Sequence, residues 1–285
     1  LMAVMAVGLI ACGTDKSDNE STKEEKTSVT ITSLDASKNE IELEVPYNPK
    51  RIAILDLASL DIIDELGVGD RVVGMASTSI DYLEKYSNDA SIKNLGTIKE
   101  ADLEAVMECE PDIIFIGGRL SKSYDALSEI APVVYLATDT NEGLVNSVSK
   151  NAKTIASIFG MEDKVDSLMS DFGARIDTIK KISSGKTALV GMTTSGSFNL
   201  LGNDGRCSLI GVEAGFNNLT AVGSTSTHGN ESSFETVVQQ NPDYIFVMDR
   251  DSAISTAGAK TAKEIVENEL VKTTDAYKNN HIIYL

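Results

Sequence analysis

The sequence predicts an α/β protein: two Rossmann-like lobes with parallel central sheets, joined by one long α-helix. Two observations carry this. Residues 103–119 (LEAVMECEPDIIFIGGR) recur as residues 234–250 (FETVVQQNPDYIFVMDR), a constant 131 residues on and without a gap, with seven of the seventeen positions identical. Self-similarity at a fixed offset marks a duplicated structural unit. Between the copies, residues 143–182 hold Leu144, Val148, Ala152, Ile155, Phe159, Val165, Leu168, Phe172, Ile176 and Ile179 at helical spacing with no proline, the pattern of an amphipathic helix.

Each unit reads the same way. A short helix presents Leu103, Val106 and Met107, or Phe234, Val237 and Val238, on one face. Pro111 and Pro242 end that helix, because proline lacks the N–H and restricts the residue before it. An apolar run follows, residues 113–116 or 244–247, suited to a parallel strand buried on both faces. Arg119 and Arg250 stand just past the strands, at the carboxyl end where open α/β sheets take their ligands. Each lobe opens with another strand, over residues 52–55 and 188–192. The connector reads as one long helix kinked at Gly160; the alternative is two helices broken at Gly160–Met161. A stiff helical connector predicts a cleft with little hinge motion, unlike a two-strand hinge.

The 285 residues are enough for one large domain or two medium ones,. The predicted division is 1–12 signal segment, 13–28 tether, 29–142 first lobe, 143–183 connecting helix and 184–285 second lobe. The net charge of −18 opposes binding to phosphate backbones, so nucleic acid is not an expected partner. Three cysteines, Cys12, Cys109 and Cys207, argue by their odd number against a disulfide framework. Cys109 and Cys207 read as small buried hydrophobes.

Residues 1–11 (LMAVMAVGLIA) are apolar apart from glycine. They are too short to span a bilayer and fit the apolar core of an export signal. Leu9-Ile10-Ala11-Cys12-Gly13 resembles a bacterial lipobox, in which the Cys12 sulfur takes the diacylglycerol and palmitate completes the anchor. Residues 14–27 (TDKSDNESTKEEKT) carry no apolar period and read as a disordered tether. Signal, lipidated cysteine and tether place the folded part on the outer face of the cell membrane.

Enzyme chemistry finds little support. The chain has no Gly-x-Ser-x-Gly elbow and no phosphate-binding loop. Two histidines without a Cys/His cluster do not make a conventional zinc site, nor are cysteines spaced for an iron–sulfur cluster.

The lipobox, the tether, the opening Pro49-Lys50-Arg51-Ile52-Ala53, the paired Pro-Asp units and the helical connector resemble the helical-backbone (class III) periplasmic binding proteins that serve iron–siderophore and cobalamin importers. The most specific segments, Gly117-Gly118-Arg119, Gly205-Arg206, Ser226-Thr227-His228-Gly229 and Asp249-Arg250, are similar to the branch that takes catecholate siderophores such as petrobactin and enterobactin. The resemblance covers residues 29–285. It implies a monomeric, lipid-anchored binding protein without a cofactor, which captures a ferric siderophore and passes it to the permease subunits of an ABC transporter. It further implies that Arg119, Arg206 and Arg250 line the cleft. Guanidinium groups suit a bulky anionic chelate, being always charged, planar and fixed in donor geometry. His228 is expected to border the cleft, where imidazole can reach siderophore-bound iron. Glu104 and Glu235, equivalent in the repeat, are expected to dock the two permease subunits. His281 reads as structural. Relatives of this kind carry about one more helix past the last strand, and this chain lacks an initiating methionine, so residues are expected to be missing at both ends. The alternative cargoes are another iron chelate, cobalamin or haem. Too few histidines speak against a bare metal ion, the absence of Trp against cobalamin, and three cleft arginines against a nearly neutral hydroxamate complex.

Overall fold

The computed structural model describes residues 26–139, 142–220, 226, 228–253 and 258–285; the lipobox Cys12 lies outside them. The chain opens with an antiparallel hairpin, β1 (Ser28–Leu34) and β2 (Glu40–Pro46), absent from the sequence reading. The first lobe then runs β3 (Ile52–Ile54), α1 (Leu57–Glu65), β4 (Val72–Met75), α2 (Glu84–Ser87), β5 (Lys93–Asn94), α3 (Leu103–Glu108), β6 (Ile113–Ile116), α4 (Tyr124–Ser128) and β7 (Val133–Tyr135). Its sheet has the order β5-β4-β3-β6-β7 and every pairing is parallel.

Alternation along the strands assigns the two faces. Ile52, Ile54, Ile113, Phe115 and Val134 pack in one core with Leu60 and Ile63 of α1. Ala53, Leu55, Ile114, Ile116, Val133 and Tyr135 pack in the other with Val106 of α3 and Leu127 of α4. A parallel sheet covered on both faces explains the unbroken apolar runs. On α3 and its C-cap the buried set is Ala105, Val106 and the capping Cys109, whereas Leu103 is 38% and Met107 61% exposed. The core stripe of this six-residue helix is thus rotated away from the Leu103/Met107 edge that the apolar spacing favours.

The connector takes the two-helix form: α5 (Leu144–Phe159) and α6 (Glu162–Ser183). Gly160 ends α5 at φ 67°, ψ 38°, the left-handed cap that glycine adopts without the Cβ clash. Helix α5 belongs to the first lobe, burying Ala152, Ile155, Ile158 and Phe159 in its core. Helix α6 starts against the same core through Val165 and reaches the second lobe, where the Ser183 hydroxyl donates to the Ala214 carbonyl at 2.5 Å. Its 22 residues correspond to about 33 Å of rise, so α6 is the long helix that joins the lobes.

The second lobe comprises β8 (Thr187–Thr194), β9 (Ser197–Leu200), α7 (Ser208–Gly211), β10 (Asn217–Asn218), β11 (Asn230–Glu231), α8 (Phe234–Gln240), β12 (Tyr244–Asp249), α9 (Arg250–Ala253), α10 (Ala262–Val266), α11 (Asp275–Lys278) and β13 (Ile282–Tyr284). Its sheet runs β11-β9-β8-β12-β13, with β10 also beside β8. The pairings of β8 with β10 and β12, and of β12 with β13, are parallel. Strand β9 joins antiparallel, a departure from the all-parallel expectation. Its cause is a two-residue turn, with Ser195 and Gly196 at φ 51° and 79°, the backbone signature of a tight hairpin.

The repeat holds down to single hydrogen bonds. Asp102 and Ser233 cap α3 and α8 by accepting from the N–H groups of Ala105 and Thr236. Glu110 and Asn241, just before the prolines, have φ of 43° and 39°. The Pro-Asp carboxylates tie in the neighbouring strand. Asp112 accepts from the N–H groups of Lys50 and Arg51 at 2.7 and 2.9 Å; Asp243 accepts from Thr187 N–H at 2.8 Å and its hydroxyl at 3.0 Å.

Candidate ligand-binding site

In the first lobe the chain leaves β6 through Gly117 and Gly118. A Cβ on Gly117 would stand 2.6 Å from Asp56 Oδ1, so only glycine lets the ends of β3 and β6 approach this closely. Asp56 is fixed in turn, capping α1 by accepting from Ser59 N–H at 2.9 Å and Ser59 Oγ–H at 2.8 Å. A cavity of about 300 Å³ opens here, lined by Asp56, Ser59, Gly117, Gly118, Ala137 and Asn151 among others. It lies at the carboxyl ends of β3, β6 and β7. Arg119 follows at once, exposed, in the short 3-10 helix Gly118–Ser123.

In the second lobe Arg250 occupies the equivalent place, immediately after β12. Its side chain is 31% exposed. Its Nη1 donates to Thr194 Oγ1 at 3.2 Å and stands 3.7 Å from Asp251 Oδ1. Asp251 Oδ2 accepts from Ser195 N–H at 2.6 Å, which binds the β8–β9 turn to the corner that carries the arginine. On the other side, Asp249 accepts from Ala262 N–H at 2.7 Å and from Ser252 N–H and Oγ–H at 3.0 and 2.8 Å. Burial pushes the Asp249 carboxyl up, but these donors outweigh it and hold it below the usual carboxylate range,.

Arg206 is exposed beside Cys207, which has φ 59° and introduces α7. Cys207 is half-buried rather than buried; burial raises its thiol and the Arg206 charge opposes that rise. His228 is exposed, and its carbonyl accepts from Asn199 Nδ2 at 2.8 Å; residues 221–225 and 227 of the loop lie outside those described. Register separates these groups. Leu200, at the end of β9 far from the turn, pairs with Asn230, so His228 leaves the hairpin at its far end from Arg250. Strand β9 spans about 10 Å at 3.4 Å per residue. His281 Nδ1 lies 3.0 Å from the Asp243 carbonyl, and its ring stacks on Tyr244 at 4.2 Å, a structural placement.

Glu104 and Glu235 are exposed at the second position of α3 and α8. The Glu235 carboxyl is held low by its own N–H and by Ser233. Among the described residues, no three His, Cys, Asp or Glu side chains group to hold a bare metal ion. The sequence reading missed Thr194 and Asp251. The available signal was the position after each repeat arginine, where Leu120 in one copy becomes Asp251 in the other.

Two α/β lobes on a helical connector, with an arginine past the equivalent strand of each, define a two-lobed solute-binding protein. Residues 52–285 match the periplasmic binding protein family, and the chain belongs to that family. It is 37% identical to petrobactin-binding protein YclQ of Bacillus subtilis over 99% of this chain and 88% of that protein. It is 26% identical to ferric-anguibactin-binding protein FatB of Vibrio anguillarum over 85% of this chain and 76% of FatB. The crystal structure of YclQ superposes with TM-score 0.82, covering 90% of this chain and 89% of that one. That of the periplasmic catecholate-siderophore binding protein VctP of Vibrio cholerae gives TM-score 0.80 at 31% identity, covering 90% and 91%.

Proposed function

We propose that this protein is an extracytoplasmic lipoprotein that captures an anionic, catecholate-type ferric siderophore and delivers it to an ABC importer. The observation that carries the reading is the pair Arg119 and Arg250, each just beyond the carboxyl end of equivalent strands β6 and β12. A chelate between the lobes would meet positive charge from both sides, and its own charge would offset the cost of bringing guanidinium groups together. The names of YclQ, VctP and FatB support the cargo class. Arg206 supplies a third cationic group, and His228 is a candidate contact to the iron of a chelate that leaves the metal unsaturated. Cys12 anchors the protein, and Glu104 and Glu235 meet the permease subunits. The cargo leaves chemically unchanged.

Equilibrium dialysis with radioactive iron tests this. Ferric petrobactin and ferric enterobactin are expected to bind at least about tenfold more tightly than ferrichrome, and R119A, R206A and R250A each to weaken them about 10- to 100-fold. Preference for the nearly neutral ferrichrome, or for cobalamin or haem in a parallel competition, would overturn the reading.

A further inference from the structure

We infer that Asp251 is a positioning residue for ligand capture, holding the Arg250 guanidinium in place; the inference rests on the proposed function. The repeat sets the terms. After Arg119 comes Leu120, which is 1% exposed, and after Arg250 comes Asp251, which is 3% exposed. The position is buried in both lobes, and the second lobe fills it with a carboxylate where the first has an apolar side chain. A buried carboxylate is costly unless charge and hydrogen bonds compensate it. Both are present on two separate oxygens: Oδ2 accepts from Ser195 N–H at 2.6 Å, and Oδ1 faces Arg250 Nη1 at 3.7 Å.

Asp251 thereby couples two elements that leucine could not. It fastens the β8–β9 turn, whose Ser195 is at φ 51°, to the corner after β12. The same turn supplies Thr194 Oγ1, the second group on Arg250 Nη1, at 3.2 Å. One edge of the guanidinium is thus pinned from two directions, which removes rotamer freedom that ligand binding would otherwise have to freeze. Arg119 has Leu120 in the corresponding place, so the two lobes present their arginines with different degrees of preorganisation.

A double-mutant cycle on the whole protein, read as the dissociation constant of ferric enterobactin, tests this. Asp251→Asn keeps an acceptor for Ser195 N–H but loses the charge opposite Arg250. It is expected to weaken binding about tenfold in the wild-type background and to have no further effect once Arg250→Ala is present. Thr194→Val is expected to behave in the same way, and it serves where thermal unfolding shows that Asp251→Asn is misfolded. An equal loss in both backgrounds marks a merely structural carboxylate and overturns the inference, as does unchanged affinity in the wild-type background. Wild-type protein that binds no ferric catecholate, or an Arg250→Ala variant of full affinity, would instead sink the proposed function.

Discussion

The carboxylate of Glu213, just past α7 in the second lobe, accepts a hydrogen bond from the Val145 N–H at 3.2 Å, in the first turn of α5. Helix α5 packs in the first lobe and its N-cap is Gly143, which offers no side-chain acceptor. The second lobe therefore supplies the cap that the helix lacks, where its dipole favours an anion. This contact joins the two lobes directly, while the Ser183–Ala214 bond fastens the end of α6 to the second lobe.

Removing the cap should have a defined cost. Glu213→Ala is expected to lower global stability by about 1 kcal/mol, measured as a shift of the urea midpoint at constant slope. A change in slope instead would mean that the lobes no longer unfold together.

The break in the connector rests on one residue. Gly160 sits in the left-handed region, and a Cβ there would collide with the Tyr47 hydroxyl. Gly160→Ala is expected to cost about 1–2 kcal/mol from backbone strain, plus the displacement of Tyr47. Thermal unfolding reads this directly; an unchanged midpoint would show that the helix break tolerates a side chain.

Acid should loosen the strand tie at Asp243. The N–H of Thr187 holds its carboxyl below the usual value, with the Thr187 hydroxyl and Lys186 adding to the effect. A depressed folded pKa means stability fully present above the unfolded value of about 4 and lost as pH falls through the folded pKa. Asp243→Asn is therefore expected to be less stable than wild type at pH 7, with the gap narrowing below about pH 4. Urea midpoints across that range check the sign.

Docking should separate from capture. Glu104 and Glu235 are exposed on equivalent helices, and charge reversal at rim positions acts mainly on partner encounter. Glu104→Arg with Glu235→Arg is expected to leave siderophore affinity unchanged while cutting transporter-dependent iron uptake about tenfold or more. Unimpaired uptake would remove these residues from the permease interface.

By itself the sequence determined the duplicated unit, the strands after Pro111 and Pro242, the arginines past them and the helical connector. All of these are written in local periodicity or in a gapless repeat, and the physics that sets them acts within a few residues. Tertiary structure decided what depends on distant partners. Whether residues 143–183 formed one helix or two turned on a single left-handed glycine braced by Tyr47. The rotation of α3 turned on which edge met the sheet. The antiparallel β9 came from a Ser-Gly turn whose flanking residues carry no strong strand pattern. The ties of Asp251 to Ser195 and of Glu213 to Val145 each span more than fifty residues of chain, and no spacing rule reaches across that gap, because only folding brings those groups within hydrogen-bonding distance.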